Sequence, residues 1–559
     1  MFFIFNPMIS SIYNFFALES LDARLCAPAN PKKKAEIIKR AGPSRWKTLE
    51  FKFYAVAFLI VVPLMVKTAM EASNETNPNY YRYERILSDG WLFGRKVDNS
   101  DSQYRFFRDN IPMLTVLMVA HLALKNLVTS FGIENITFDF VFGLVFLFGA
   151  HGFNCLRILF HAAVMYALGR VPIKKLSIAL LWIYGIGTLF LNDRYRQVRF
   201  SQIVPGLESM DSFKGLIERW DVFFNFTLLR LLSFNLDYLW REQKKDKETK
   251  ETKESQELNE RERQNYYLEA SDYSLSNYMA YVFYTPLFIA GPILTFNDYI
   301  YQSRKPLSSI NWQRTAKYGV ILVYCMLLME FILHYIYVVA VSKAKAWDGD
   351  TPFQISMIGL FNLNIIWLKL LIPWRLFRFW ALCDGIDTPE NMIRCMDNNY
   401  STVQFWRAWH RSYNKWVVRY VYVPLGGSQS RILASLAVFT FVAVWHDIEL
   451  RLLIWGWLVV LFLLPEMIAT QFAKPYEHEW WFRHLCAFGA IINIWMMMLA
   501  NLFGFCLGKD GLVLLLKDMF TTLDGYVFFI LSSVCLWIAV QVMFEWREEE
   551  KRRGVDVKC

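Results

Sequence analysis

The run Ile432-Leu-Ala-Ser-Leu-Ala-Val-Phe-Thr-Phe-Val-Ala-Val-Trp445 carries no charged residue, and the next residue is His446. Such a stretch reads as a helix entering lipid. An ionisable side chain at membrane depth is costly, so it pairs with something or works on something. His446 is therefore a candidate functional residue, set against the plainer reading of a histidine hydrogen-bonded to a neighbouring helix. Asp447 follows directly, but adjacent helical residues point about 100° apart. Asp447 and Glu449 are expected at the helix end or facing water, not orienting the ring.

Outward from this run the whole chain has the same character. Its 559 residues are 55% hydrophobic and 17% aromatic, with a mean hydropathy of +0.23. Spans of about 20 apolar residues are needed to cross a bilayer as helices. Candidates run from Phe53 to Met70, Ile111 to Phe131, Leu176 to Leu191, Val222 to Trp240, Leu275 to Phe296 and Tyr318 to Val341. Others run from Phe353 to Trp374, Ile432 to His446, Leu450 to Ala469, Cys486 to Leu507 and Tyr526 to Phe544. The stretch from Phe138 to Leu168 is long enough for two spans, although His151 and Arg157 interrupt it. The fold class is all-α, a polytopic integral membrane protein of about 11 or 12 transmembrane helices.

The net charge of +10 gathers at membrane edges and forms no patch of the kind that binds nucleic acid. Lys32, Lys33, Lys34, Lys39, Arg40, Arg45 and Lys47 precede the first span, which places the N-terminus in the cytosol. The loop after that span then faces the lumen or exterior, in agreement with the acceptor sequon Asn74-Glu-Thr76. Residues 1–52 read as a cytosolic or interfacial segment, with Met1 to Phe16 lying at the interface. Residues 53–546 read as the membrane domain, within which 241–272 is a charged cytosolic loop, and 547–559 as a charged tail. The nine cysteines form no Cys-x-x-Cys pair, so neither a disulfide framework nor a zinc site is indicated. No Walker loop, dinucleotide fingerprint or Gly-x-Ser-x-Gly elbow occurs, which removes the usual supports for nucleotide and soluble-hydrolase chemistry.

Upstream of His446 lies Gln404-Phe-Trp-Arg-Ala-Trp-His410-Arg-Ser-Tyr-Asn-Lys-Trp-Val-Val-Arg-Tyr-Val-Tyr-Val-Pro-Leu-Gly-Gly427. Arg407, Arg411, Lys415 and Arg419 recur every fourth residue and predict one cationic row on an amphipathic helix. Two readings fit the row. The stems snorkel along lipid while the heads meet lipid phosphates, or some of the cations hold the phosphates of coenzyme A. His410, Asn414 and Trp445 join the candidate site, and residues 375–427 form an amphipathic or re-entrant region. Asn225, Asn362, Asn364 and Glu330 are polar residues within spans that either line a cavity or bond between helices.

In the Phe405-Trp-Arg-Ala-Trp-His410 block, the tail from Trp416 to Gly427 and the sequence Val-Ala-Val-Trp-His446, the chain resembles the membrane-bound O-acyltransferase family. More narrowly it resembles that family's fungal glycerol-uptake-protein branch, which is related to hedgehog acyltransferase. The segments Gly94 to Arg108, Arg219 to Arg230 and Trp380 to Arg394 support the narrower likeness. The resemblance implies helices around a central cavity, His446 as the essential histidine and His410 as a second catalytic position. It implies transfer of an acyl chain from acyl-coenzyme A, as co-substrate, to a lipid hydroxyl. For this branch the implied acceptor is the lyso form of a glycosylphosphatidylinositol anchor, in the endoplasmic reticulum membrane, with the plasma membrane as an alternative. Membrane lipids and glycosylphosphatidylinositol-anchored proteins are the implied partners, and no tightly bound cofactor is expected. Cys395 falls where hedgehog acyltransferase carries a haem-binding cysteine, and an ordinary packed cysteine is the competing reading.

The chemistry asks for a base beside a thioester. Partial burial would keep His446 neutral, so that it takes the acceptor proton. His410 would orient the acceptor or stabilise the oxyanion. The rival functions are a proton-coupled glycerol transporter and a catalytically inactive membrane regulator.

Overall fold

The computed structural model describes residues 22, 25–28, 30–217, 219–243, 257–446 and 448–557. The expected interfacial segment Met1 to Phe16, the lysine-rich part of the charged loop and Asp447 lie outside them. Among the described residues nine helices are long and apolar enough to cross a bilayer. The architecture is helical, with a single two-residue hairpin pairing Ser88 with Val97 and Asp89 with Lys96.

The membrane helices, in chain order, are α1 (Leu49–Glu71), α2 (Ile111–Ser130), α3 (Asn135–His151), α4 (Cys155–Leu168), α5 (Lys174–Tyr195) and α6 (Trp220–Leu239). Next come two short helices, α7 (Leu275–Val282) and α8 (Phe296–Arg304), and the long α9 (Trp312–Tyr335) and α10 (Pro352–Cys383). Two further short helices, α11 (Thr402–Ala408) and α12 (Arg411–Val417), lead into α13 (Arg431–His446). The chain ends with α14 (Leu450–Ala473), α15 (Phe482–Asn501), α16 (Gly508–Thr521) and α17 (Leu523–Arg552).

The stretch from Asn135 to Leu168 turns sharply at Gly152, whose φ of +55° suits a residue without a Cβ. The two arms return to one side. Asp139, near the start of α3, accepts from the Tyr299 hydroxyl at 2.7 Å, while Arg170, just past α4, donates to the Tyr273 carbonyl at 2.7 Å. Tyr273 in turn bonds Asn297, two residues from Tyr299. Together α3 and α4 make one of the nine candidate spans, and α13 is a shorter apolar helix beside them.

The N-terminal segment and the end of α17 meet on one face. Arg45 N donates to Glu545 at 3.0 Å, Gly42 N to Glu548 at 2.8 Å, and Arg552 to the Gly42 carbonyl at 2.8 Å. The helix continues to Arg552, past the expected boundary at 546, because these carboxylates and arginines dock on the N-terminal segment.

One expected span is corrected. Leu275 to Phe296 is not a continuous helix: it stops at Val282, resumes for Thr285–Phe288 and unwinds through Gly291 and Pro292. Proline removes an amide donor and clashes with the preceding turn. Arg230, buried on α6, donates to the carbonyls of Val282 at 2.9 Å and of Leu287, satisfying acceptors that the break leaves open. At the centre stands α10, more than half buried, with its C-terminal half feeding the site below.

Candidate active site

The site begins with a helix that fails to continue. Ser401 caps α11 by accepting from Gln404 N at 3.1 Å, and the helix ends at Ala408. At His410 the backbone enters the left-handed region with φ +43°, an uncommon conformation for a side chain of this size. The continuous amphipathic helix predicted across Gln404 to Gly427 is therefore corrected to α11 and α12, the latter running on as a π-helical turn over Val418–Tyr422, with His410 between them. The cause is tertiary. Arg411 N donates to the Asn391 carbonyl at 3.1 Å, and Ser412 N donates to Asn391 Oδ1 at 2.9 Å. These bonds hold the strained residue.

Asn391 is itself fixed by a buried charge network. Its neighbour Glu390 accepts from Arg375 at 3.0 Å, Arg378 at 3.1 Å and the Tyr318 hydroxyl at 2.7 Å. Arg378 also bonds Asp387 at 2.9 Å. Glu390 N donates to Asp22 at 3.2 Å, and the Arg411 guanidinium lies 3.6 Å from the same carboxylate. Buried charges persist where they are paired and hydrogen-bonded. Here they clamp the His410 turn to α10 and to the N-terminal segment.

Around His410 the rings form a column. Trp374 stacks on His410 at 4.8 Å and 19°, His410 on Tyr413 at 5.2 Å and 29°, and Tyr413 on Trp445 at 4.5 Å and 24°. His446 stands edge-on to Trp445 at 4.7 Å. Trp445 is clamped to α6 by two reciprocal bonds, its indole donating to the Asn225 carbonyl and its own carbonyl accepting from Asn225 Nδ2, both at 2.8 Å. The fold thus brings the His410 ring to 6.4 Å from the indole whose chain neighbour is His446. His410 is buried, and its Nε2 has no hydrogen-bond partner among the described residues. It lies on the connection between spanning helices, where burial, followed by the nearby His446, holds its pKa down to about 3. His446 is exposed. The expectation of a partly buried ring is corrected, because α13 ends at this residue, just past the packed Trp445.

The cationic row does not survive as a row. Arg407 is exposed on α11, while Arg411 turns inward to Asp22. Lys415 pairs with Glu260, and Arg419 with Asp237 at 2.9 Å and with Asn265 at 3.1 Å. The break at His410 rotates Arg407 away from the others, and protein carboxylates meet Lys415 and Arg419. Asn414 donates to the Trp406 carbonyl at 3.4 Å. Asn362 bonds Ser342 at 2.7 Å, Asn364 the Leu360 carbonyl at 3.1 Å, and Glu330 accepts from Trp91 at 3.0 Å; these are contacts between or within elements. Of the polar span residues named from sequence, Asn225 alone bonds Trp445 among the contacts described.

Cys395 follows the charge network in sequence. The residue as a whole is exposed, while its thiol is pushed up by desolvation first and by the Asp397 carboxylate second. A haem-ligating cysteine works as a thiolate, and these surroundings favour the protonated thiol. A second cluster brings ligand atoms of His121, Asp139 and Asp384 within 4.8 Å of one another. The Lys125 ammonium lies against both carboxylates, at 2.8 and 2.7 Å, and supplies the positive charge a metal would bring.

Sequence reasoning did not single out Asn391, Glu390, Tyr413 or Asp22. A signal for the first two was present: acids and an asparagine crowd Asp384-Gly-Ile-Asp-Thr-Pro-Glu-Asn391 beside a span. Asp22 had none.

A family model described as MBOAT, membrane-bound O-acyltransferase family, matches residues 176–509. The chain is 60% identical to the membrane-bound O-acyltransferase GUP1 of Saccharomyces cerevisiae, over 100% of this chain and 99% of that protein. It is 40% identical to the membrane-bound O-acyltransferase gup1 of Schizosaccharomyces pombe, over 92% of this chain and 91% of that one. A more distant relative, the protein-cysteine N-palmitoyltransferase HHAT of Mus musculus, is 30% identical over 37% of this chain and 43% of its own length.

Proposed function

This chain belongs to the membrane-bound O-acyltransferase family, and on that premise we propose that it moves a long-chain acyl group from acyl-coenzyme A to a lipid hydroxyl, with a lyso-glycosylphosphatidylinositol as acceptor. The observation that carries the reading is the convergence of His410 and His446 on Trp445. His446 ends α13 while His410 stands in the break between α11 and α12, buried and with its Nε2 unpartnered among the described residues.

His446 is the base. Its exposed ring is reachable by a substrate diffusing in the bilayer, and a neutral imidazole accepts the acceptor's hydroxyl proton as that oxygen bonds to the thioester carbonyl carbon. The carbon–sulfur bond breaks, and the proton passes to the leaving thiolate, so coenzyme A departs as the free thiol. His410, held neutral by burial, orients the acceptor or donates to the developing oxyanion. Coenzyme A stays in water while acyl chain and acceptor stay in lipid, so a site in a multi-pass bundle serves both. We place the reaction at the endoplasmic reticulum membrane, with Arg407 as a cation positioned for the donor's phosphates.

The acceptor is tested by lipid analysis of glycosylphosphatidylinositol proteins from cells lacking this chain. Accumulated lyso-anchors are expected. Fully acylated anchors in normal amounts would contradict the acceptor, and accumulation of labelled glycerol by reconstituted vesicles without acyl-coenzyme A would favour transport instead.

A further inference from the structure

The aromatic column contains a second polar atom with nothing to bind. Tyr413 is 5% exposed, and its hydroxyl has no hydrogen-bond partner among the described residues. A buried tyrosine O–H normally finds a partner, since leaving one unmade costs free energy. The ring is nonetheless fixed in place. It stacks between His410 at 5.2 Å and Trp445 at 4.5 Å, and it sits one turn beyond the strained His410 on α12. The His410 Nε2 is also unpartnered. Among the described residues two buried polar atoms without partners therefore occur on neighbouring stacked rings, beside Trp445, the residue that precedes His446. That arrangement suits a ligand that brings its own oxygen.

We infer that the Tyr413 hydroxyl is a catalytic residue that donates a hydrogen bond to the carbonyl oxygen of the reacting acyl group. The inference rests on the acyl-transfer reading above and adds a residue to it. A phenol among apolar rings keeps its proton, because burial disfavours the charged form, so Tyr413 acts as a donor and not as a base. As the acceptor oxygen bonds to the carbonyl carbon, negative charge grows on the carbonyl oxygen, and the fixed O–H meets it. When the carbon–sulfur bond breaks, the carbonyl reforms and the hydrogen bond weakens. Tyr413 neither gains nor loses a proton. An anionic group such as a phosphate fits the position less well, because Arg411, the nearby cation of the turn, faces Asp22.

The test is Tyr413→Phe in the full chain, purified and reconstituted in lipid vesicles with a long-chain acyl-coenzyme A and a lysolipid acceptor. This change removes the oxygen and keeps the stacking. The expected result is a kcat about 100-fold lower, as for loss of one oxyanion donor, with KM for the donor within about 2-fold. The thermal midpoint should be equal or higher, because an unsatisfied buried hydroxyl has gone. A kcat within about 2-fold of wild type would overturn the inference, as would a fall in kcat accompanied by a lower thermal midpoint, which would assign the hydroxyl to packing. No transfer by the wild-type protein would overturn the functional reading along with it, whereas transfer equal in both proteins overturns this inference alone.

Discussion

His410 combines three properties that packing alone does not require: a left-handed backbone, a buried imidazole and a nitrogen with no partner among the described residues. A satisfied core histidine would have met a hydrogen-bond acceptor or donor. A glycine would adopt this backbone with less strain, which is what directs a functional test to this side chain. Its protonation is a second clue. With a pKa held down to about 3, the folded state disfavours the imidazolium. The ring stays neutral throughout the range between about pH 5 and 8 where a histidine usually switches. His410→Asn should therefore lower kcat by about 10- to 100-fold, as for a positioned polar group. The shape of the pH–rate profile should be unchanged, measured as initial rates of acyl transfer. A profile whose acid limb moves in this variant would mean that His410 itself titrates during the reaction.

At the scale of elements, two interruptions meet at the site: α11 from α12 at His410, and the unwound stretch at Gly291 and Pro292, after which Ile293 N donates to Ser412 Oγ at 2.8 Å. The second was legible in the sequence, since Pro286, Gly291 and Pro292 lie inside the expected span from Leu275 to Phe296, yet hydropathy outweighed them. The first was not. Arg407, Arg411, Lys415 and Arg419 keep helical spacing straight through the break, with neither glycine nor proline to mark it. What imposes it is Asn391, which donates nothing to local propensity and acts through two bonds across the fold. Asn391→Ala should leave the Ser412 amide without its acceptor, a loss of about 1–3 kcal/mol for a buried donor. Membrane insertion should be kept while transfer falls at least about 10-fold, read in microsomes normalised to protein level. Full activity would show that the turn holds its shape without this residue.

Across the whole molecule, composition and hydropathy were enough for the class, because bilayer thickness dictates the length of an apolar helix. The pairing of His410 with His446 was legible as two motifs, whereas their meeting across Trp445 was not. That contact depends on the Asn225 clamp from α6 and on the charge network that runs from Asp22 through Glu390 to Asn391. Long-range polar contacts of this kind carry no local pattern. They also tie the N-terminal segment to the end of α17 on one face, while Asp22 reaches inward to Glu390.

The most direct measurement compares wild type with His446→Ala, each purified and reconstituted in vesicles, by following label from a long-chain acyl-coenzyme A into a lysolipid. The account predicts transfer by the wild-type protein and its loss in the variant, by a factor of at least about 100, with equal incorporation into the bilayer. Transfer by His446→Ala at the wild-type rate would contradict it.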